Sequence, residues 1–335
     1  MGFRGLAALP DKLIITGGKQ RRFHYDMKEW TGYGAAKALQ IQFTPDLKVS
    51  EVIDYTSPED CLPEDSEASI TFKSGTRRSE SLWVATQTEA LCFSTQDFSL
   101  QHRISHPVFN DVHHVYPTLD DTLLVTSTGL DAVFEFTPSG EKMNEWSCTE
   151  MDIWQRFEPG KDYRKVLTTK PHAVHPNHCF EYQGKYWVSN MKKSQCQCLQ
   201  TGEVIHLDSG NIHDGILVGK YAYFTHVNGF ISKVDMDLQR VIEIHDMNQI
   251  EVGPKQLGWC RGLYCIDEYR FLVGFTRIRP SKMQMGMEWL KNRFYAKGWQ
   301  GCLPTRICLL NTKTMSFDWQ VDLEQHDIHA VFSIL

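Results

Sequence analysis

Asp111–Trp146 reads DVHHVYPTLDDTLLVTSTGLDAVFEFTPSGEKMNEW. Four short runs rich in β-branched and aromatic residues are separated by Pro117 with Asp120-Asp121, by Gly129, and by Pro138-Ser139-Gly140. Short apolar runs between turn formers are the pattern of antiparallel strands joined by tight turns. One such unit cannot bury both of its faces, so its neighbours in the chain decide the architecture.

The same order of strands and turns recurs in His172–Leu207 (HAVHPNHCFEYQGKYWVSNMKKSQCQCLQTGEVIHL) and in Ile212–Ile244 (IHDGILVGKYAYFTHVNGFISKVDMDLQRVIEI). A further copy runs from Cys260 to Pro280 and resumes at Thr305–Asp322, and a looser one spans Ala68–Ile104. Four strands repeating about every 35–45 residues predict an all-β fold, a β-propeller. The C-terminal DIHAVFSIL (Asp327–Leu335) has the character of a first strand, and Lys12–Tyr55 that of strands two to four lacking a first. Joined, they complete a sixth blade, so the expected fold is one domain over residues 1–335, closed by its own ends.

Aligned at their starts, the blades offer His113, His172, His213, Arg261 and His329 at one repeat position. The looser copy shows no counterpart near Ala68-Ser69. Innermost strands line a propeller's axis, so these side chains are expected to form a ring, with His114 turned between blades. Packed imidazoles repel when charged and need partners when neutral. A metal resolves that conflict, since neutral imidazole is the commonest metal donor. His113, His172, His213 and His329 are therefore the expected ligands, and Arg261 a candidate catalytic residue. The second strands should end on the same face, which adds Asn190 and His226 as catalytic or substrate-contact candidates.

The long segments fall on that face as well: residues 17–36, 148–171 and 277–304, while the opposite turns are short. Within the last of these, 281–299 is the expected helix. Met283, Met287, Leu290 and Phe294 are spaced by three and four residues and Lys282, Lys291, Arg293 and Lys297 lie elsewhere. Such a helix would serve as rim packing, as a lid over an apolar or aromatic small molecule, or as a contact with a membrane surface.

A net charge of −6 gives no support to nucleic-acid binding. No apolar run approaches the roughly 18 residues of a membrane span. The ten cysteines, with no signal-peptide pattern at the N-terminus, point to a reducing, cytoplasmic setting. Only Cys196-Gln-Cys198 forms a close pair, and it reads as a strand rather than a metal motif.

The blade pattern resembles six-bladed propeller enzymes in general and no one family closely. The four-histidine set resembles the axial iron site of carotenoid cleavage oxygenases, a likeness of site rather than descent, since that family is larger and seven-bladed. The Asp111–Trp146 repeat resembles arylsulfate sulfotransferases, which implies a histidine nucleophile with Arg261 on the sulfuryl oxygens and no metal. DAVFEFTPSGE (Asp131–Glu141) resembles streptogramin lyases, which implies a metal and a proton-moving histidine.

The first expectation is thus a metal-dependent oxygenase or lyase with Fe(II), or with Zn, Cu, Ni or Mn, held by the histidines. The alternatives are sulfuryl transfer and a propeller that binds a protein or small ligand without chemistry.

Overall fold

The structure of the chain, a computed structural model, describes residues 9–21, 29–43, 46–64, 67–278 and 301–335. Strands β1 (Lys12–Gln20), β2 (Tyr33–Gln42) and β3 (Lys48–Tyr55) come first. The next set is β4 (Gly75–Arg78), β5 (Ser81–Ala85), β6 (Ala90–Ser94) and β7 (Leu100–Ile104). The quoted stretch supplies β8 (Val112–Pro117), β9 (Leu123–Ser127), β10 (Ala132–Phe136) and β11 (Lys142–Ser147). Then come β12 (Pro176–Tyr182), β13 (Lys185–Asn190), β14 (Gln195–Cys198) and β15 (Val204–His206). The set β16 (Ile212–Val218), β17 (Tyr221–His226), β18 (Phe230–Asp235) and β19 (Arg240–Asp246) follows. The last strands are β20 (Trp259–Cys265), β21 (Arg270–Thr276), β22 (Arg306–Asn311), β23 (Ser316–Asp322) and β24 (Ala330–Ile334).

These strands form six four-stranded antiparallel sheets, the blades of a β-propeller. Five blades keep chain order and the sixth is β24-β1-β2-β3, so the C-terminal strand does close the ring. Ile15 pairs with Ile334 and Thr16 with Ser333. Gly17 permits this closure, because a Cβ there would lie 1.8 Å from the Ala330 carbonyl oxygen.

Burial explains why the middle strands read as continuous apolar runs. Every residue of β9 and β10 is buried, since neighbouring blades cover both faces. The outer strands β7 and β11 are mostly exposed and polar. The core therefore lies between blades: Trp83, Ala85 and Cys92 pack with Val115, Val125 and Phe134 of the next blade.

His114 ties blades together at the backbone. Its Nδ1 accepts the Cys179 N–H at 3.2 Å, which leaves the proton on Nε2, 3.2 Å from the Gly75 carbonyl. One imidazole so bridges blades on either side of its own. Replacing it with alanine orphans a buried donor and a buried acceptor as well as opening a cavity. His114→Ala is expected to lose about 2–4 kcal/mol in urea unfolding.

One expectation about the decorated face needs correction. Residues 17–36 are not one long insertion: β1 continues to Gln20 and β2 begins at Tyr33. The hairpin's glycines and alanines stay paired, Gly17 with Lys37 and Gly18 with Ala36. The 148–171 segment carries only α1 (Ile153–Arg156) and a 3₁₀ turn at Tyr163–Lys165. The helix expected over 281–299, and most of the 277–304 insertion, lies outside the described residues. Among the described residues no helix is long and apolar enough to cross a membrane.

Candidate functional site

Strand register fixes which side chains share the axis. In β8, Val112 pairs with Ser127 and His114 with Thr126, so His113 sits on a bulge at the inner edge. In β16 the irregularity between Ile212 and Gly215 places His213 equivalently. In β20 the matching position is Arg261, beside the shift that precedes Leu263.

Two of the expected ligands fall elsewhere. The β12 register shift lies between Pro176, opposite Asn190, and Cys179, opposite Val188. Asn177, not His172, is therefore the counterpart of His113. His172 lies in the loop before β12. In β24 the shift lies between Val331 and Ser333, which gives the axial position to Phe332. His329 stands three residues earlier, where its Nδ1 accepts the Gln20 N–H at 3.3 Å. The looser blade also has a counterpart, Lys73, whose N–H bonds to Ala85 just before β4.

Contacts confirm that these residues meet. Phe332 lies beneath two cations, with the Arg261 guanidinium carbon 4.4 Å and the Lys73 Nζ 4.7 Å from its ring centroid. The His213 ring is 5.9 Å from Phe332 and 5.9 Å from His113. The His175 ring lies 5.0 Å from both His113, edge to face, and His172, tilted by 38°. Its Nδ1 is 2.8 Å from that of His172, so one ring donates and the other accepts.

Two carboxylates complete the cluster. Glu29 Oε1 is 2.7 Å from Lys73 Nζ and 3.6 Å from Arg261 Nη2. Asp111 Oδ1 is 3.5 Å from Lys73 Nζ. Burial alone would raise both carboxyls. Lys73 opposes this, aided by Arg261 at Glu29 and by His113 at Asp111, and both are held well below the usual carboxylate range.

The imidazoles go the other way. Burial pushes His113 down to about 4 against the pull of Asp111, and its Nδ1–H donates to the Asp111 carbonyl at 2.9 Å. His213 is lowered by burial and then by Arg261, and His175 by burial and then by His113. At neutral pH the site therefore holds neutral imidazoles among paired ions. Neutral imidazoles accept protons or attack electrophiles.

Asp131 builds one wall. Its buried carboxylate accepts the N–H groups of Ala173 (2.6 Å), Val174 (3.0 Å) and His175 (2.8 Å), and also pairs with Arg156 at 2.7 Å. That grip sets the loop carrying His172 and His175. Asp111 and His175 both take positive φ, 50° and 58°, a conformation that costs a non-glycine residue and recurs at functional sites.

Polar atoms left unsatisfied gather here. Both ring nitrogens of His213, Nε2 of His172, Oδ1 of Asn177 and Nε of Arg261 are buried without a hydrogen-bond partner among the described residues. One layer further along the axis His178 Nδ1 is 3.2 Å from Asp214 Oδ1. Gly215 leaves room for that ring: a Cβ would lie 3.1 Å from His178 Cδ2.

Asn190 and His226 end the second strands as expected, but both are fully buried. Asn190 Nδ2 donates to Gln197 at 2.8 Å. His226 Nδ1–H donates to the Gly210 carbonyl, and its Nε2 accepts from Ser232 at 2.7 Å, an arrangement that braces the blade.

The four histidines expected as ligands do not all share one level of the axis. His113 and His213 share a level, but Asn177 and Phe332 hold the places assigned to His172 and His329, and two cations stand among them. Among the described residues no group of three or more His, Cys, Asp or Glu side chains is arranged to hold a metal ion.

No family model matches the chain, and no curated protein matches it. Solved structures do. A protein of unknown function from Bacteroides caccae aligns with a TM-score of 0.61 at 13% identity, covering 97% of this chain and 98% of its own. A chain of a nidogen/laminin complex aligns with a TM-score of 0.57 at 6% identity, covering 96% and 97%. A catalytically inactive virginiamycin B lyase from Staphylococcus aureus, solved with quinupristin, reaches a TM-score of 0.45 at 14% identity over 72% and 73%. At such identities the likeness is of fold, and the chain is a six-bladed β-propeller.

Proposed function

We propose that the axial cluster binds a small molecule through an oxyanion held by Arg261 and Lys73, and that His213 moves a proton on it. The observation that carries this reading is His213 itself: deeply buried, held neutral, and, among the described residues, with both nitrogens unpartnered beside a guanidinium whose Nε is also unpartnered. A buried polar group without a partner costs on the order of 1–3 kcal/mol, so two such residues side by side fit a ligand-binding role better than a packing role.

In the step proposed, His213 takes a proton from an atom next to the oxyanion-bearing group. The bond to hydrogen breaks, its electron pair stays on the substrate, and Arg261 draws on the charge that develops. Glu29 and Asp111 balance the imidazolium that forms. This keeps the proton-moving histidine of the lyase expectation without the metal that expectation carried, and the remainder of the substrate is apolar or aromatic, as the sequence suggested.

The test is anion binding. Sulfate or acetate at millimolar concentration is expected to raise the melting temperature of the wild type and to move the His213 imidazole resonances. Arg261→Ala should lose both effects. Equal stabilisation of wild type and Arg261→Ala would reduce the effect to a general salt response and sink the proposal.

A further inference from the structure

The carboxylate beside both axial cations comes from outside the strand framework. Glu29 lies between β1 and β2, and Ser69 anchors its backbone by donating from Oγ to the Glu29 carbonyl and from N–H to the Trp30 carbonyl at 2.9 Å. Lys170 adds a cation over the Trp30 ring at 4.5 Å.

The two cations are unequally served. Lys73 has Glu29 at 2.7 Å and Asp111 at 3.5 Å. Arg261 has the Glu29 oxygen no nearer than 3.6 Å at Nη2, and no partner at Nε among the described residues. Nε and Nη2 form one edge of the planar guanidinium. That edge matches the two oxygens of a carboxylate through parallel N–H donors.

Resting on the oxyanion reading above, we infer that the site takes a ligand carboxylate on the Nε–Nη2 edge of Arg261, and that Glu29 stands in for it in the ligand-free chain. Charge gives the reason for exchange. Glu29 Oε1 already lies 3.6 Å from Nη2, so an arriving carboxylate meets a like charge there unless Glu29 withdraws from Arg261. Asp111 still pairs Lys73 when it does. The ligand is accordingly a monocarboxylic acid, and its affinity is set by competition with an internal carboxylate.

Calorimetric titration with acetate, benzoate and inorganic sulfate tests this on the full chain. Glu29→Gln keeps the side chain's shape and removes its charge. It should bind acetate and benzoate at least tenfold more tightly than the wild type, with a smaller gain for sulfate. Arg261→Lys, which keeps the charge but not the fork, should lose at least tenfold for the carboxylates in the wild-type background. Unchanged or weaker carboxylate binding by a folded Glu29→Gln protein overturns the stand-in role. Equal gains for sulfate overturn the preference for carboxylate. If Arg261→Ala leaves the binding of every anion unchanged, the oxyanion reading itself has failed instead. Should Glu29→Gln not fold, the Arg261→Lys comparison alone decides whether the fork is used.

Discussion

Replacing Asp131 with asparagine is expected to lower unfolding free energy by about 3–5 kcal/mol, the range for breaking a buried, hydrogen-bonded charge pair. The carboxylate is fully buried and takes three backbone N–H donors and the Arg156 guanidinium. Asparagine tolerates the φ of 51° at this position, so backbone strain is not added. It does replace one acceptor oxygen with an NH2 group facing donors. Arg156→Met leaves that buried carboxylate with its three N–H donors but no cation, so it should cost less than Asp131→Asn, about 1.5–3 kcal/mol. Because the same bonds seat the loop from Ala173 to His175, Asp131→Asn should also move the imidazole signals of His172 and His175 and leave those of His226 in place. A loss below about 1 kcal/mol, or unmoved His175 signals, would show that the loop is held by something else.

The fold was legible because its signal is redundant: runs such as TLLVTS and AVFEF recur with turn residues between them, and one misjudged strand leaves the repeat intact. The axial residues were only half legible. His113, His213 and Arg261 follow a regular distance from their blade starts, so alignment by eye finds them. His172 and His329 were misplaced because a histidine was sought near each blade start, whereas the strand shifts at Pro176–Cys179 and at Val331–Ser333 put Asn177 and Phe332 there. A bulge adds one residue without changing composition, so it leaves little trace in a sequence. Lys73 was missed for a similar reason, hidden in the loosest copy. Its one signal is a lysine inside the run ITFKSG, where burial demands a partner. Glu29 and Asp131 had no signal at all, since each acts from a loop on residues distant in the chain.

The buried imidazoles make a second large prediction, an acid-labile fold. A histidine lowered on folding leaves the folded chain with fewer bound protons than the unfolded one, so stability rises with pH between the two values. Burial lowers both His113 and His226 from 6.5 to about 4. Their contribution is whole above pH 6.5 and is lost as pH falls toward 4, about 3 kcal/mol for each over that window. His114, His175 and His213 are lowered by burial in the same sense and steepen the slope. The carboxylates facing His113 act later: Glu29 and Asp111 are depressed, so what they add is present above their unfolded values and is lost only as pH drops below about 4. Unfolding free energy from urea titrations should thus be nearly level from pH 8 to 7 and fall steeply between 6.5 and 4.5. His226→Gln separates fold from site. Among the described residues His226 bonds to the Gly210 carbonyl and the Ser232 hydroxyl and to no charged side chain, so removing it should cut the slope by the share of one proton while oxyanion binding at the axis persists. A profile that stays level from pH 7 to 4.5 would mean these imidazoles find water or partners on protonation, and that the closed axial packing they depend on opens readily.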